Sequence, residues 1–136
     1  LQNNECRVYF ALNGDDFDPG ELTQFLGMKP TSTKRKGEKI PDRVPKFSSW
    51  VLSTDNVVDE CIDVYEIAGE IVKQLQPKKT LIIDAIKRFG LFSKLQVVLS
   101  ISVDDNISTP AIGFDVETTK FLGEIGAFID IDTYRH

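Results

Sequence analysis

Six cations fall within thirteen residues: Lys34, Arg35, Lys36, Lys39, Arg43 and Lys46. Only Glu38 and Asp42 oppose them, so this stretch carries +4; the chain as a whole carries −5, and everything outside the stretch −9. Cations gathered in this way attract phosphate, nucleic acid or an acidic protein surface. The run does not match G-x-x-x-x-G-K-[ST], so a Walker-type phosphate loop is not supported. The net acidity of the chain argues against nucleic acid as the partner. Three readings remain: a solvated basic loop, a dock for an acidic protein or peptide and, least favoured, a nucleic-acid contact. Trp50, the only tryptophan, follows four residues after Lys46. An indole there either packs into a core or stands exposed as the anchor of a binding surface.

Two acidic clusters offer a different chemistry. Asp15 and Asp16, with Asp18, follow the first predicted strand, while Asp115 and Glu117 open a later predicted helix. Carboxylate oxygens brought together would hold Mg²⁺ or Ca²⁺. The plainer reading makes Asp18 and Asp115 helix caps, with the other carboxylates favouring the positive end of the helix dipole. Asp130 and Asp132 alternate along the last predicted strand and read as its wet side or as guards against edge pairing.

Residue counts remove several other chemistries. The one histidine, His136, is the last residue. That argues against a Ser-His-Asp or Cys-His unit within the chain and against a His-rich zinc site. Cys6 and Cys61 are too few for a disulfide framework and are expected to be reduced thiols. No apolar run approaches the ~20 residues of a membrane span, so the expectation is a cytoplasmic protein that does not meet a membrane. The chain opens at Leu1 and its only methionine is Met28, so its start is expected to be processed or trimmed.

The elements that would position these residues follow from periodicity. Residues 7–12 alternate as a strand with Val8, Phe10 and Leu12 on one face. Asp18-Pro19-Gly20-Glu21 is a helix start, and Gly27 a stop. Residues 28–46 lack periodicity and contain Pro30, Pro41 and Pro45, which predicts a long loop. A strand is predicted over 49–54. A helix carrying Val58, Cys61, Ile62, Tyr65, Ala68, Val72 and Leu75 comes next and is stopped by Pro77. A second helix carries Leu81, Ile82, Ala85, Ile86 and Phe89 up to Gly90. Leu95, Val97, Leu99, Ile101 and Val103 alternate strictly, and the turn at Asp104-Asp105-Asn106 predicts a hairpin return over 110–115. A helix over 117–126 and a strand over 128–134 complete the chain. Glu21-Leu-Thr-Gln-Phe-Leu-Gly27 matches Glu117-Thr-Thr-Lys-Phe-Leu-Gly123 at five of seven places, as two βαβ halves would.

The whole chain, 136 residues, reads as a single α+β domain in the order β-α-β-α-α-β-β-α-β. The expected architecture is a largely antiparallel sheet of about five strands with helices on one face and ferredoxin-like βαβ halves. In such a sheet the first strands of the two halves are expected side by side and parallel. That arrangement would bring Asp15 and Asp16 to Asp115 and Glu117.

The run Gly14-Asp-Asp-Phe-Asp-Pro19, then Leu26-Gly27, Pro30-Thr31, Lys36-Gly37-Glu38, Ser49-Trp50 and the closing Ile129-Asp-Ile-Asp-Thr-Tyr134, resembles a bacterial family catalogued only as a domain of unknown function. The resemblance implies a single-domain α+β protein. It brings no accepted catalytic residues, and some relatives stand in genomic settings suggestive of toxin–immunity systems. The residues favour a non-enzymatic protein-binding module, immunity-like in the light of that resemblance. Its partner is expected to meet the 31–50 segment, and no cofactor is required. The alternative is a small enzyme or metal binder that uses the acidic clusters with a divalent cation.

Overall fold

Strict alternation in the first strand decides which way the sheet faces. A computed structural model describes residues 2–136. β1 (Asn4–Gly14) buries Cys6, Val8, Phe10 and Leu12 completely, while Arg7 and Tyr9 between them stay half-buried on the other side. Gly14 ends the strand where the chain passes tightly. A Cβ there would lie 2.9 Å from Leu91 and 3.0 Å from Phe17. α1 (Pro19–Leu26) starts as its sequence predicts, with the Asp18 carboxylate accepting from the Gly20 N–H at 2.9 Å and Gly27 closing it in the left-handed conformation.

The remaining elements are β2 (Ser32–Lys34), β3 (Ser48–Ser53), β4 (Val57–Asp59), α2 (Val64–Leu75), a 3-10 turn at Gln76–Lys78, α3 (Lys79–Phe89), β5 (Phe92–Ile101), α4 (Val116–Ile125) and β6 (Phe128–Arg135). The sheet order is β2-β3-β1-β5-β6, with β4 paired to the start of β1. β3 and β5 flank β1 and are both antiparallel to it, and β6 is parallel to β5. β2 is antiparallel to β3 and so runs with β1. The protein is thus an α+β fold with a mixed open sheet. β1-α1-β2 is a βαβ unit split by β3, and β5-α4-β6 is an unsplit one. The helices share a single core with one sheet face, in which Leu22, Leu26, Ile71, Leu75, Ile82 and Phe121 meet the inward side chains of β1, β3 and β5.

Three local expectations change. The return strand over 110–115 is absent, because β6 occupies the free edge of β5 through eight register pairs. The 102–111 segment is held instead by the fully buried Asn4. Its amide donates to the Ser108 and Glu60 carbonyls, and its Oδ1 accepts from the Ser102 N–H. Ala111 then bridges to the start of α2. The helix predicted from Val58 begins only at Val64. Asp63 caps it with Glu66 in its first turn, and Val58 belongs to β4. The 28–46 loop contains β2, which forms because the edge of β3 offers it a partner rather than because Ser32-Thr33-Lys34 carries a strand pattern.

Trp50 is fully buried on the helix side of β3, and its indole N–H donates to Thr23 Oγ1 on α1 at 3.1 Å. The Thr23 hydroxyl itself donates to the Pro19 carbonyl at 3.0 Å. The exposed-anchor reading of Trp50 is therefore corrected: it fastens α1 to the sheet and offers nothing to a partner. Trp50→Ala should cost about 3–5 kcal/mol, seen as a lower denaturant midpoint in equilibrium unfolding.

Candidate functional site

The residues left over by one-sided burial form the candidate site. Successive side chains of a strand point to opposite faces, so the face away from the helices carries Ser49 and Val51 of β3, Arg7, Tyr9, Ala11 and Asn13 of β1, and Lys94 of β5. Lys34 joins them on β2, in register with Ser49. These residues line a trough of about 390 Å³, and Arg43 and Phe47 of the basic loop raise one wall. Its floor is made of small side chains. Ala11 is almost fully buried, and the buried Ser49 hydroxyl donates to Asn13 Oδ1 at 2.7 Å.

The lining contains four cations, Arg7, Lys34, Arg43 and Lys94, and no carboxylate. Two aromatic rings hold three of them. Arg7 and Lys94 lie over Tyr9 at 5.2 and 5.9 Å from the ring centroid, and Lys34 lies over Phe47 at 5.2 Å. None of the four makes an ion pair among the described residues.

The basic loop divides into two groups with different roles. Arg35 and Lys36 turn away from the trough and pair with the first acidic cluster. Arg35 reaches Asp16 at 3.6 Å and Asp18 at 3.8 Å, and Lys36 reaches Asp15 at 3.3 Å. These pairs are half exposed, so each contributes little stability. The firmer ties are backbone ones. The buried Ser48 hydroxyl accepts from the Phe17 and Lys36 N–H groups at 3.2 and 3.0 Å. The Gly37 N–H donates to the Pro45 carbonyl with Gly37 at φ +82°, a conformation suited to glycine. Ile40 and Arg43 exchange backbone hydrogen bonds across a tight turn. Lys39 and Lys46 are exposed and lie outside the trough lining.

The two acidic clusters do not meet. β1 and β5 are adjacent but antiparallel, with Asn13 opposite Phe92 and Glu5 opposite Ser100. Asp15 and Asp16 therefore sit at one end of the sheet. Asp115 and Glu117 start α4, which runs back towards that end before β6 begins beside Lys94. Asp15 and Asp16 spend their charge on Lys36 and Arg35, and Asp115 caps α4 by accepting from the Thr118 N–H at 2.8 Å. No group of three or more His, Cys, Asp or Glu suited to a metal occurs among the described residues.

Asp115 and Glu117 instead border a larger hollow of about 690 Å³ between α2 and α4. Five carboxylates and three lysines line it, and one of the lysines, Lys79, is already paired with Glu124 at 3.1 Å. Its charges largely compensate one another, so it presents no single sign to a ligand. The two cysteines are both free. Cys61 is exposed, and burial pushes the Cys6 thiol up to about 11, which leaves it unreactive.

With this geometry in hand, comparison with known proteins gives one match. The model of a domain of unknown function, DUF4279, covers residues 4–136. The chain belongs to the DUF4279 family. No curated protein and no solved structure matches it. No helix among the described residues is long and apolar enough to cross a membrane. This DUF4279 chain has in its trough three residues that the basic run alone does not reveal: Arg7, Tyr9 and Lys94. Their signal was the polar phase of two alternating strands. Only the β1–β5 register, with Ala11 opposite Lys94, brings them together.

Two outcomes follow. Ser48→Ala removes the acceptor of two backbone N–H groups, one of them buried, and should cost about 1–3 kcal/mol with faster hydrogen exchange at the Lys36 amide. The Thr118 N–H holds the Asp115 carboxyl below its ordinary value of 3.8. A carboxyl depressed in the folded state stabilises it above the unfolded pKa, and that contribution is lost as pH falls through the folded value. Asp115→Asn, which still caps, should flatten the acid limb of a melting-temperature profile.

Proposed function

We propose that this DUF4279 protein is a non-enzymatic module that binds an acidic segment of another protein in the trough on its helix-free sheet face. The observation that carries the reading is the lining itself. A chain of net charge −5 gathers four cations and no carboxylate around one trough, and holds three of those cations over aromatic rings. Complementary charge of this kind steers association and selects partners. Apart from Tyr9, every ionisable side chain lining the trough is Lys or Arg. That set suits recognition of an anion better than proton transfer near neutral pH.

The reading includes a bacterial cytoplasmic setting, which two unpaired thiols favour. An immunity-like role, in which the acidic partner is a toxin, is the form that the family resemblance adds.

The test is affinity capture from an extract of the source cells with the natural protein and with Arg7→Glu/Arg43→Glu/Lys94→Glu. The expected result is one acidic protein retained by the first and lost by the second, with the melting temperature of the variant unchanged. Lys73→Glu/Lys120→Glu, in the α2–α4 hollow, should retain it. Capture that survives the triple reversal, or is lost only with the α2–α4 variant, would overturn the reading.

A further inference from the structure

The cations of the trough are not evenly spread. Arg7 and Lys94 share Tyr9 on one side, whereas Lys34, with Phe47 beneath it, stands on the other, where the loop that carries Arg43 leaves β2. Between the two groups lies the floor of Ala11, Ser49 and Val51, which carries no charge and whose largest side chain is a valine. Lys94 is on β5 and Lys34 on β2, three strand steps apart through β1 and β3. Lys34 is level with Asn13 and Lys94 with Ala11, two residues along the strand, so at ~4.8 Å per step across and ~3.3 Å per residue along, their backbones are separated by roughly 16 Å.

We infer that the trough recognises an extended acidic segment whose two carboxylates stand four residues apart, one reaching Arg7 and Lys94 and the other Lys34 and Arg43. This inference rests on the acidic-segment reading above and adds the pattern of the ligand to it. An extended chain advances ~3.3 Å per residue, so residues i and i+4 lie about 13 Å apart, a period of two puts both on the same face, and the reach of two glutamate side chains spans the few ångströms that remain. The three residues between them cross the small-residue floor, where Ala11 and Ser49 leave room for the backbone of a crossing strand. Adjacent carboxylates would engage only one group of cations. The acidic stripe of Asp130 and Asp132, on the same face of β6 beyond β5, limits the footprint on that side by repulsion. Aromatic–cation units and an exposed sheet also suit single-stranded nucleic acid, so that class is made an arm of the test.

The experiment measures binding of fluorescent nine-residue peptides of equal composition, rich in Ser and Thr, with two glutamates either four positions apart or adjacent. Oligothymidylate is titrated in parallel. The four-apart peptide should bind about tenfold more tightly than the adjacent one, and Lys34→Glu should abolish that difference. Equal affinity for the two peptides would overturn the spacing inference while leaving the acidic-segment reading standing. Binding of neither peptide, or tighter binding of oligothymidylate than of both, would overturn the reading along with the inference.

Discussion

The one-sided burial of β1 is the constraint on which the rest of the structure depends. Its inward residues, Cys6, Val8, Phe10 and Leu12, are fully buried beneath the helices. Its neighbours on both sides, β3 and β5, bury Trp50, Leu52, Leu95, Val97 and Leu99 in the same layer. With the helices committed to that face, the opposite face is left without a cover. Period-two alternation then forces Arg7, Tyr9 and Lys94 outward onto it. A shift of register by one residue would bury these cations and expose the core, so the same hydrophobic pattern that stabilises the fold also fixes the trough.

The basic loop completes what the sheet begins. It is tied at its base by Ser48, which accepts from backbone groups on both the β1–α1 turn and the loop. Arg35 and Lys36 hold the loop to Asp15, Asp16 and Asp18 from the outside. This leaves Lys34 and Arg43 as the members of the cationic run that face the trough. A charge run that looks uniform in sequence is thus split between fastening and presentation. The first acidic cluster is accounted for by the same contacts, since its carboxylates are the counter-ions of the loop.

Much of the fold was legible from alternation and caps. The inward face of β1, the strict alternation of β5, the caps at Asp18 and Asp115 and the stops at Gly27 and Gly90 all follow from residue type and spacing. The α+β class and the βαβ halves followed from their order. Strand direction was not legible. The strand expected over 110–115, beside β1 and parallel to it, does not form; β5 stands beside β1 instead and is antiparallel, which separates Asp15 and Asp16 from Asp115 and Glu117. Elements that exist only because a neighbour offers an edge, such as the three-residue β2 and β4, leave no pattern of their own. Half of the candidate site was legible for the same reason. Lys34 and Arg43 announce themselves by density of charge, whereas Arg7 and Lys94 are single cations on strands and acquire meaning only through pairing.

The central claim is that the helix-free face, and not the larger hollow between α2 and α4, receives an anionic protein segment. Chemical-shift mapping of the isotope-labelled protein during titration with a short oligoglutamate peptide tests it directly. The account predicts shifts concentrated at Arg7, Ala11, Lys34, Ser49 and Lys94 that weaken as salt screens the charges. Shifts centred instead on Lys73, Lys79 and Lys120 of the α2–α4 hollow would contradict it.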